Sequence, residues 1–321
     1  MRLARPAIAG TAITALGAAV AACATAARGR RSGSGLADRG SVGPVPDTVG
    51  LLACPHCHGA LDWVGAAGEW RCPACLRAFP VRDGIVHFLE PQELGPLDRR
   101  FAHLYDWFSW IYPAFTRSGF ALIGMSEGHG RRQVLDRLDP HGGRVLEVSI
   151  GPGSNLPHLL ARPDIGEVHG LDISIGQLRR CRALIRRRGW NVPLYLASAE
   201  ALPFQDATFD AVLHIGGINF FDDRARALAE MARVAKPGSR IVVVDENERA
   251  ARGYERTLPG FRATFQQGRP QVSAPLADVP HGMRDVAVSD IWRGWFYCLE
   301  FVTPSAGAHD VPALQEGAHA P

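Results

Sequence analysis

Apolar residues in the middle of the chain fall into short blocks separated by breaks rich in glycine and charge. Val145, Leu146 and Val148 form one block, Val168–Leu171 a second, Asn191–Ala197 a third, Ala211–Ile215 a fourth and Ser239–Val244 a fifth. Each is too short for a buried helix and reads as a strand covered on both faces. Between the blocks the spacing becomes helical. Gly130–Leu138 leads into the first strand, Ser154–Leu160 follows it, and Asp222–Ala235 precedes the fifth. Ser174–Arg188 sets Leu178, Cys181 and Ile185 on one side. Strands alternating with helices predict an α/β fold with a mostly parallel sheet. Farther on, Arg249–Gln267 suggests a helix carrying Tyr254, Phe261 and Phe265, interrupted at Pro259-Gly260, and 268–282 reads as a loop. Val286–Ile291 and Trp295–Val302 alternate around Arg293-Gly294, as an antiparallel pair at the sheet edge would.

With 321 residues, 46% of them hydrophobic, the chain can build one sizeable core and a small accessory domain. A net charge of +3 neither demands nor excludes a polyanionic partner. The sequence divides into a leader and linker (1–49), a cysteine-bearing segment (50–91), an aromatic connector (92–125), the α/β domain (126–305) and a tail (306–321) expected to be disordered. Residues 7–27 carry no charge and are flanked by arginines, but they consist mainly of Ala, Gly and Thr. They read as a leader, disordered or wrongly translated, then as a weak membrane anchor, and least readily as an export signal. Residues 28–49 read as a flexible linker.

In the segment 50–91, Cys54-x-x-Cys57 and Cys72-x-x-Cys75 are separated by fourteen residues. Two such knuckles can close a tetrahedral thiolate site, which suits structural zinc. His56 and His58 each stand beside a better ligand and are expected at the surface. About forty residues bury too little to fold alone, so the metal would supply folding energy. LLACP-x-C and FPVRDGIVHFL resemble the zinc-ribbon proteins that activate tRNA and rRNA methyltransferases. That resemblance implies a support or substrate-recognition module.

The first α/β strand empties into Gly151-Pro152-Gly153, and the second ends in Asp172, nineteen residues beyond Gly153. A glycine turn between strand and helix brings backbone N–H groups close to a ligand, and an acid after the next strand can take ribose hydroxyls. The dinucleotide spacing G-x-G-x-x-G fails, because Ser149 and Ser154 stand where glycines would be needed. The pattern from Glu147 to Gly153 resembles instead the first motif of class I S-adenosylmethionine-dependent methyltransferases. Ser198-Ala199-Glu200-Ala201-Leu202-Pro203-Phe204 resembles that family's D-A-x-x-L-P-F segment, and Lys236-Pro237-Gly238 its turn before the fifth strand. The resemblance implies a cosubstrate site built from Glu147, Ser149, Gly151, Gly153, Asp172, Ile173, Ser198, Ala199, Glu200 and His214. Two departures stand out. Ser149 replaces the first glycine, and Ser198 replaces the adenine-reading Asp, leaving the Ala199 backbone to make that contact.

The connector holds Phe101, Tyr105, Trp107, Phe108, Trp110, Tyr112, Phe115 and Phe120, which either dock it on the α/β domain or form an apolar lid. Tyr105-Asp106 and Tyr112-Pro113 resemble the N-terminal helices of ubiquinone/menaquinone-type C-methyltransferases. The resemblance implies methyl transfer to a carbon or oxygen of a small apolar or aromatic metabolite, in the cytoplasm or at the inner face of the membrane. His214 and Asn219, at the end of the fourth strand and in the loop after it, are the candidate catalytic residues. RNA is the alternative acceptor, suggested by the ribbon and by six arginines between 179 and 188. The third reading is a non-catalytic binding module in which Ser149 and Ser198 mark a decayed site.

Overall fold

The structure, a computed structural model, describes residues 48, 50–90, 93–108, 112–257 and 272–305. The uncharged stretch 7–27, the Pro259-Gly260 break with Phe261 and Phe265, and the tail 306–321 lie outside the described residues.

Four short strands come first: β1 (Asp62–Val64), β2 (Glu69–Arg71), β3 (Ala78–Arg82) and β4 (Ile85–His87). Helices α1 (Pro96–Phe108), α2 (Tyr112–Leu122) and α3 (Glu127–Leu135) lead to the central strand β5 (Arg144–Val148). Then follow α4 (Leu156–Leu159), β6 (Glu167–Asp172), α5 (Ile175–Arg188), β7 (Leu194–Leu196), β8 (Phe209–Ile215), α6 (Arg224–Val234), β9 (Ala235–Glu246), α7 (Glu248–Thr257), β10 (Arg284–Ile291) and β11 (Phe296–Val302). They form one eleven-stranded sheet in the order β1-β2-β3-β4-β7-β6-β5-β8-β9-β11-β10. The segment β4-β7-β6-β5-β8-β9 is parallel, and β11 and β10 close the far edge antiparallel, as their alternation predicts.

The cysteine-bearing segment is not a separate bead. Its last strand, β4, pairs in parallel with β7, Ile85 opposite Leu194 and His87 opposite Leu196. The Ala53 N–H also donates to the Pro203 carbonyl at 3.1 Å, and Arg182 Nε to the Asp83 carbonyl at 2.8 Å. A single apolar core runs from Trp70 and Phe79 through Phe88, Tyr195 and Phe204 to Phe209. Burying such side chains contributes about 1.5–3 kcal/mol each, so the segment and the α/β domain stabilise one another.

Local chemistry sets the element ends. Ser174 caps α5 by accepting the Gln177 N–H at 3.1 Å, and Gly189 ends it in the left-handed region at φ +67°. The helix before β5 starts at Glu127 rather than Gly130, because the Ser126 side chain caps it through the His129 N–H. The helix after β5 shrinks to one turn, since the glycine loop runs on to Asn155 and Pro163 follows shortly after. Lys236-Pro237-Gly238 is not a turn outside the strand but an excursion within β9. Phe209 pairs with Ala235 and Ala211 with Arg240, with Gly238 at φ +80° between them. Among the described residues no helix is long and apolar enough to cross a membrane.

Candidate functional site

The glycine loop leaves β5 with three residues in the left-handed region: Ser149 at φ +60°, Gly151 at +57° and Gly153 at +81°. At Ser149 the side chain costs roughly 1–2 kcal/mol, which is the physical reason glycine suits this position. Gly153 is required by packing as well, since a Cβ there would stand 2.8 Å from Cys181 Sγ on α5. Asp172, at the end of β6, holds the loop from below. Its Oδ2 accepts the Gly151 N–H at 2.9 Å and its Oδ1 the Ser174 N–H at 2.8 Å. Burial pushes its carboxyl up to about 6 against those two N–H groups. A carboxylate has about four acceptor positions, so capacity remains for a ligand.

Beside the loop lies an open cavity. Ser149, Gly151, Asp172 and Ile173 line one side, Gly216, Gly217, Phe220 and Phe221 another, with Asp98 and Tyr105 of α1 over them. Helix α1 is fastened at both ends. The Asp222 carboxylate accepts the Leu97 and Asp98 N–H groups at 3.3 and 3.1 Å, and a Cβ at Gly95 would collide with it. At the other end Asp106 Oδ1 accepts the Ser174 hydroxyl at 2.6 Å and the Gly176 N–H at 2.7 Å. Phe120 of α2 docks edge-on against Trp292, whose indole N–H donates to the Gly130 carbonyl. The connector thus both packs on the domain and roofs the cavity.

Several expected ligand residues lie behind the cavity wall. Glu147 is buried beneath the loop, where Asn155 Nδ2 donates to its Oε1 at 2.6 Å and Arg131 Nη1 donates to Asn155 Oδ1 at 2.6 Å. Burial pushes its carboxyl up to about 7, and its Oε2 has no hydrogen-bond partner. The His214 side chain is wholly buried: Nδ1–H donates to the Val148 carbonyl at 3.2 Å and the ring meets Phe221 edge-on. Desolvation lowers its imidazole to about 4, its Nε2 has no hydrogen-bond partner, and it is not among the residues that line the cavity. Asn219 is spent on structure: Nδ2 donates to the Glu246 carbonyl at 2.9 Å and Oδ1 accepts the Tyr297 hydroxyl at 3.2 Å. Both side chains hold the strand end and the loop that carries Phe220 and Phe221. Gly153, Ser198, Ala199 and Glu200 also lie off the cavity wall. Ser198 Oγ accepts the Glu200 N–H at 3.1 Å, while the Ala199 N–H has no partner among the described residues. Asp98, Tyr105, Gln177 and Phe221 line the cavity and were not singled out as site residues by the motifs.

The four cysteine sulfurs lie within 4.8 Å of one another, with Cys54 to Cys75 at 3.6 Å and Cys57 to Cys72 at 3.5 Å. Sulfurs about 3.8 Å apart are what a tetrahedral zinc with about 2.3 Å bonds requires. Burial pushes the Cys54 thiol up to about 12, whereas the Cys75 N–H helps draw the Cys72 thiol down to about 7. A bound cation would ionise all four. His56 and His58 are exposed and outside the cluster.

Comparison with known proteins agrees with this geometry. Residues 146–243 match the family described as a methyltransferase domain, and residues 46–84 match the Trm112p-like proteins. The chain therefore has a class I methyltransferase fold behind a Trm112-like N-terminal region. A demethylmenaquinone methyltransferase of Thermus thermophilus is 34% identical over 139 residues, which is 43% of this chain and 63% of that protein. A ubiquinone/menaquinone biosynthesis C-methyltransferase of Burkholderia mallei is 40% identical over 106 residues, 32% of this chain and 43% of that protein. The chain spans about three-fifths of the length of the first of these relatives and less of the second. A chain from a solved complex containing the Haloferax volcanii Trm112 methyltransferase activator shares the fold, with a TM-score of 0.51 and 17% identity over 63% of this chain and 96% of that one.

Proposed function

We propose that the protein is an S-adenosylmethionine-dependent methyltransferase acting on a carbon or oxygen nucleophile of a small apolar or aromatic metabolite. The observation that carries this reading is the single cavity joining the glycine loop and Asp172 to the aromatic wall of Phe220 and Phe221. Gly151 and its loop neighbours would hold the amino-acid part of the cosubstrate and Asp172 the ribose, while the adenine would extend past the cavity wall to the unpartnered Ala199 N–H. S-adenosylmethionine supplies an electrophilic methyl group carried on a sulfonium. The chain's own part is to align the acceptor and exclude water, and most of the acceleration can come from that placement. Helix α1, fixed by Asp222 and Asp106, forms the roof. Phe220 and Phe221 offer flat apolar surface to a ring.

The Trm112-like region serves this site indirectly, by extending the sheet through β4 and β7. We read its cysteine cluster as structural zinc, and an acceptor of this class suits work in the cytoplasm or at the inner face of a membrane. The test is methyl transfer from labelled S-adenosylmethionine by the zinc-loaded full chain, offered naphthalenediols, catechols and bulk tRNA in parallel. Label in the small aromatic acceptors is the expected result. Label in RNA alone would overturn the acceptor class.

A further inference from the structure

Among the described residues Asp98 is the one acid on the roof of the cavity, and it is only 4% exposed. Its backbone N–H is taken by Asp222, but no side chain among the described residues donates to its carboxylate. The groups around it disfavour its charge. Glu200, from the segment after β7, and Asp222, from the loop after β8, both push its carboxyl up, and only the Asp222 N–H favours ionisation. Asp223 and Arg226 act on Glu200 rather than on Asp98. On its own helix, Arg99 turns away and donates to the Leu94 carbonyl at 2.8 Å. Asp172 and Tyr105 also line the cavity. Desolvation, with Glu200 and Asp222, raises the Asp98 carboxyl to about 7.

A carboxyl placed this way suits proton exchange better than permanent pairing with a cation, which would need it fully ionised. Acid–base groups work best with a pKa near the operating pH. The neighbours on the wall, Tyr105, Phe220 and Phe221, match a ring that carries the exchangeable proton.

We propose that Asp98 is the catalytic base that takes the proton from a ring-borne hydroxyl of the methyl acceptor, an assignment that rests on the methyl-transfer reading above. The acceptor O–H bond breaks and its proton passes to an Asp98 carboxylate oxygen. The oxygen lone pair forms the new bond to the methyl carbon as the methyl–sulfur bond breaks, with that electron pair left on sulfur. The products are an aryl methyl ether and S-adenosylhomocysteine, and Asp98 returns its proton to water.

The probe is 2-naphthol, a neutral ring hydroxyl across the range used, titrated by fluorescence into zinc-loaded full chain saturated with S-adenosylhomocysteine. Wild-type affinity should rise about tenfold between about pH 5.5 and 8.5, as Asp98 ionises and its hydrogen bond becomes charge-assisted. Asp98→Asn should flatten that rise and Asp98→Glu should keep it, with calorimetric affinity for S-adenosylhomocysteine unchanged in both. An unchanged pH rise in Asp98→Asn, or no 2-naphthol binding by the wild type, overturns the assignment. So does weakened S-adenosylhomocysteine binding in Asp98→Asn, which would place Asp98 at the cosubstrate instead. Failure of the wild type to bind S-adenosylhomocysteine is a separate result and removes the methyl-transfer reading itself.

Discussion

Asp106 and Gly176 meet so closely that neither can change alone: the Gly176 N–H donates to Asp106 Oδ1 at 2.7 Å, and a Cβ on Gly176 would stand 2.9 Å from Asp106 Cα. This contact brings α1 down on the first turn of α5, two residues from Ser174, which also bonds Asp106. Gly176→Ala should therefore lift α1. Overpacking of this kind costs about 1–3 kcal/mol, so a fall in the denaturation midpoint and weaker S-adenosylhomocysteine binding are expected together. Denaturant titration and calorimetry on the same variant check the pairing of the two effects.

Ser149 lies in the left-handed region at φ +60°. Ser149→Gly removes roughly 1–2 kcal/mol of steric cost and adds about 0.5–1 kcal/mol of unfolded-chain entropy. The net is a stabilisation of about 0.5–1 kcal/mol, visible as a raised midpoint in a chemical melt. A lowered midpoint would show that the serine side chain contributes more than its backbone costs.

Glu147 gives the fold a pH dependence of a definite sign. Its carboxyl sits at about 7 in the folded chain, above the ordinary 4.5, because burial outweighs Asn155 and Arg131. The folded state holds that proton more tightly than the unfolded state. Stability should therefore increase as pH falls from about 7 toward 4.5 and decrease by a few kcal/mol in the reverse direction. Asp172, at about 6, adds in the same direction over a narrower window. Glu147→Gln should stabilise the protein at pH 8 and flatten this part of the profile. Urea midpoints measured from pH 5 to 8 for both proteins test it.

Removing zinc should reach beyond the cysteines. Because β4 pairs with β7 and Trp70 shares a core with Phe204 and Phe209, loss of the knuckles exposes one edge of the α/β sheet. Chelation, or Cys72→Ser, should lower the melting temperature of the whole chain as one transition. Separate transitions for the two regions would argue against a shared core.

What the sequence made legible, and what it did not, follows from distance along the chain. The glycine loop, Asp172 and the paired cysteines depend on neighbours within about twenty residues, and their spacing alone places them. The grip of Asp222 on Leu97 and Asp98 spans 125 and 124 positions and leaves no local pattern. The same holds for the parallel pairing of β4 with β7. The burial of His214 was not legible for another reason. In a sheet covered on both faces, a strand-end side chain meets a wall whichever way it points, and the Val148 carbonyl and Phe221 receive this one. The short helix after β5 was overdrawn because the loop uses residues that helical spacing would also accept.

The central claim is that the Gly151–Asp172 corner holds a nucleoside-bearing cosubstrate, and calorimetric titration of the zinc-loaded full chain with S-adenosylhomocysteine tests it most directly. The account predicts micromolar binding that is lost in Asp172→Ala while the variant stays folded. No binding by folded wild-type protein, or equal binding by wild type and Asp172→Ala, would contradict it.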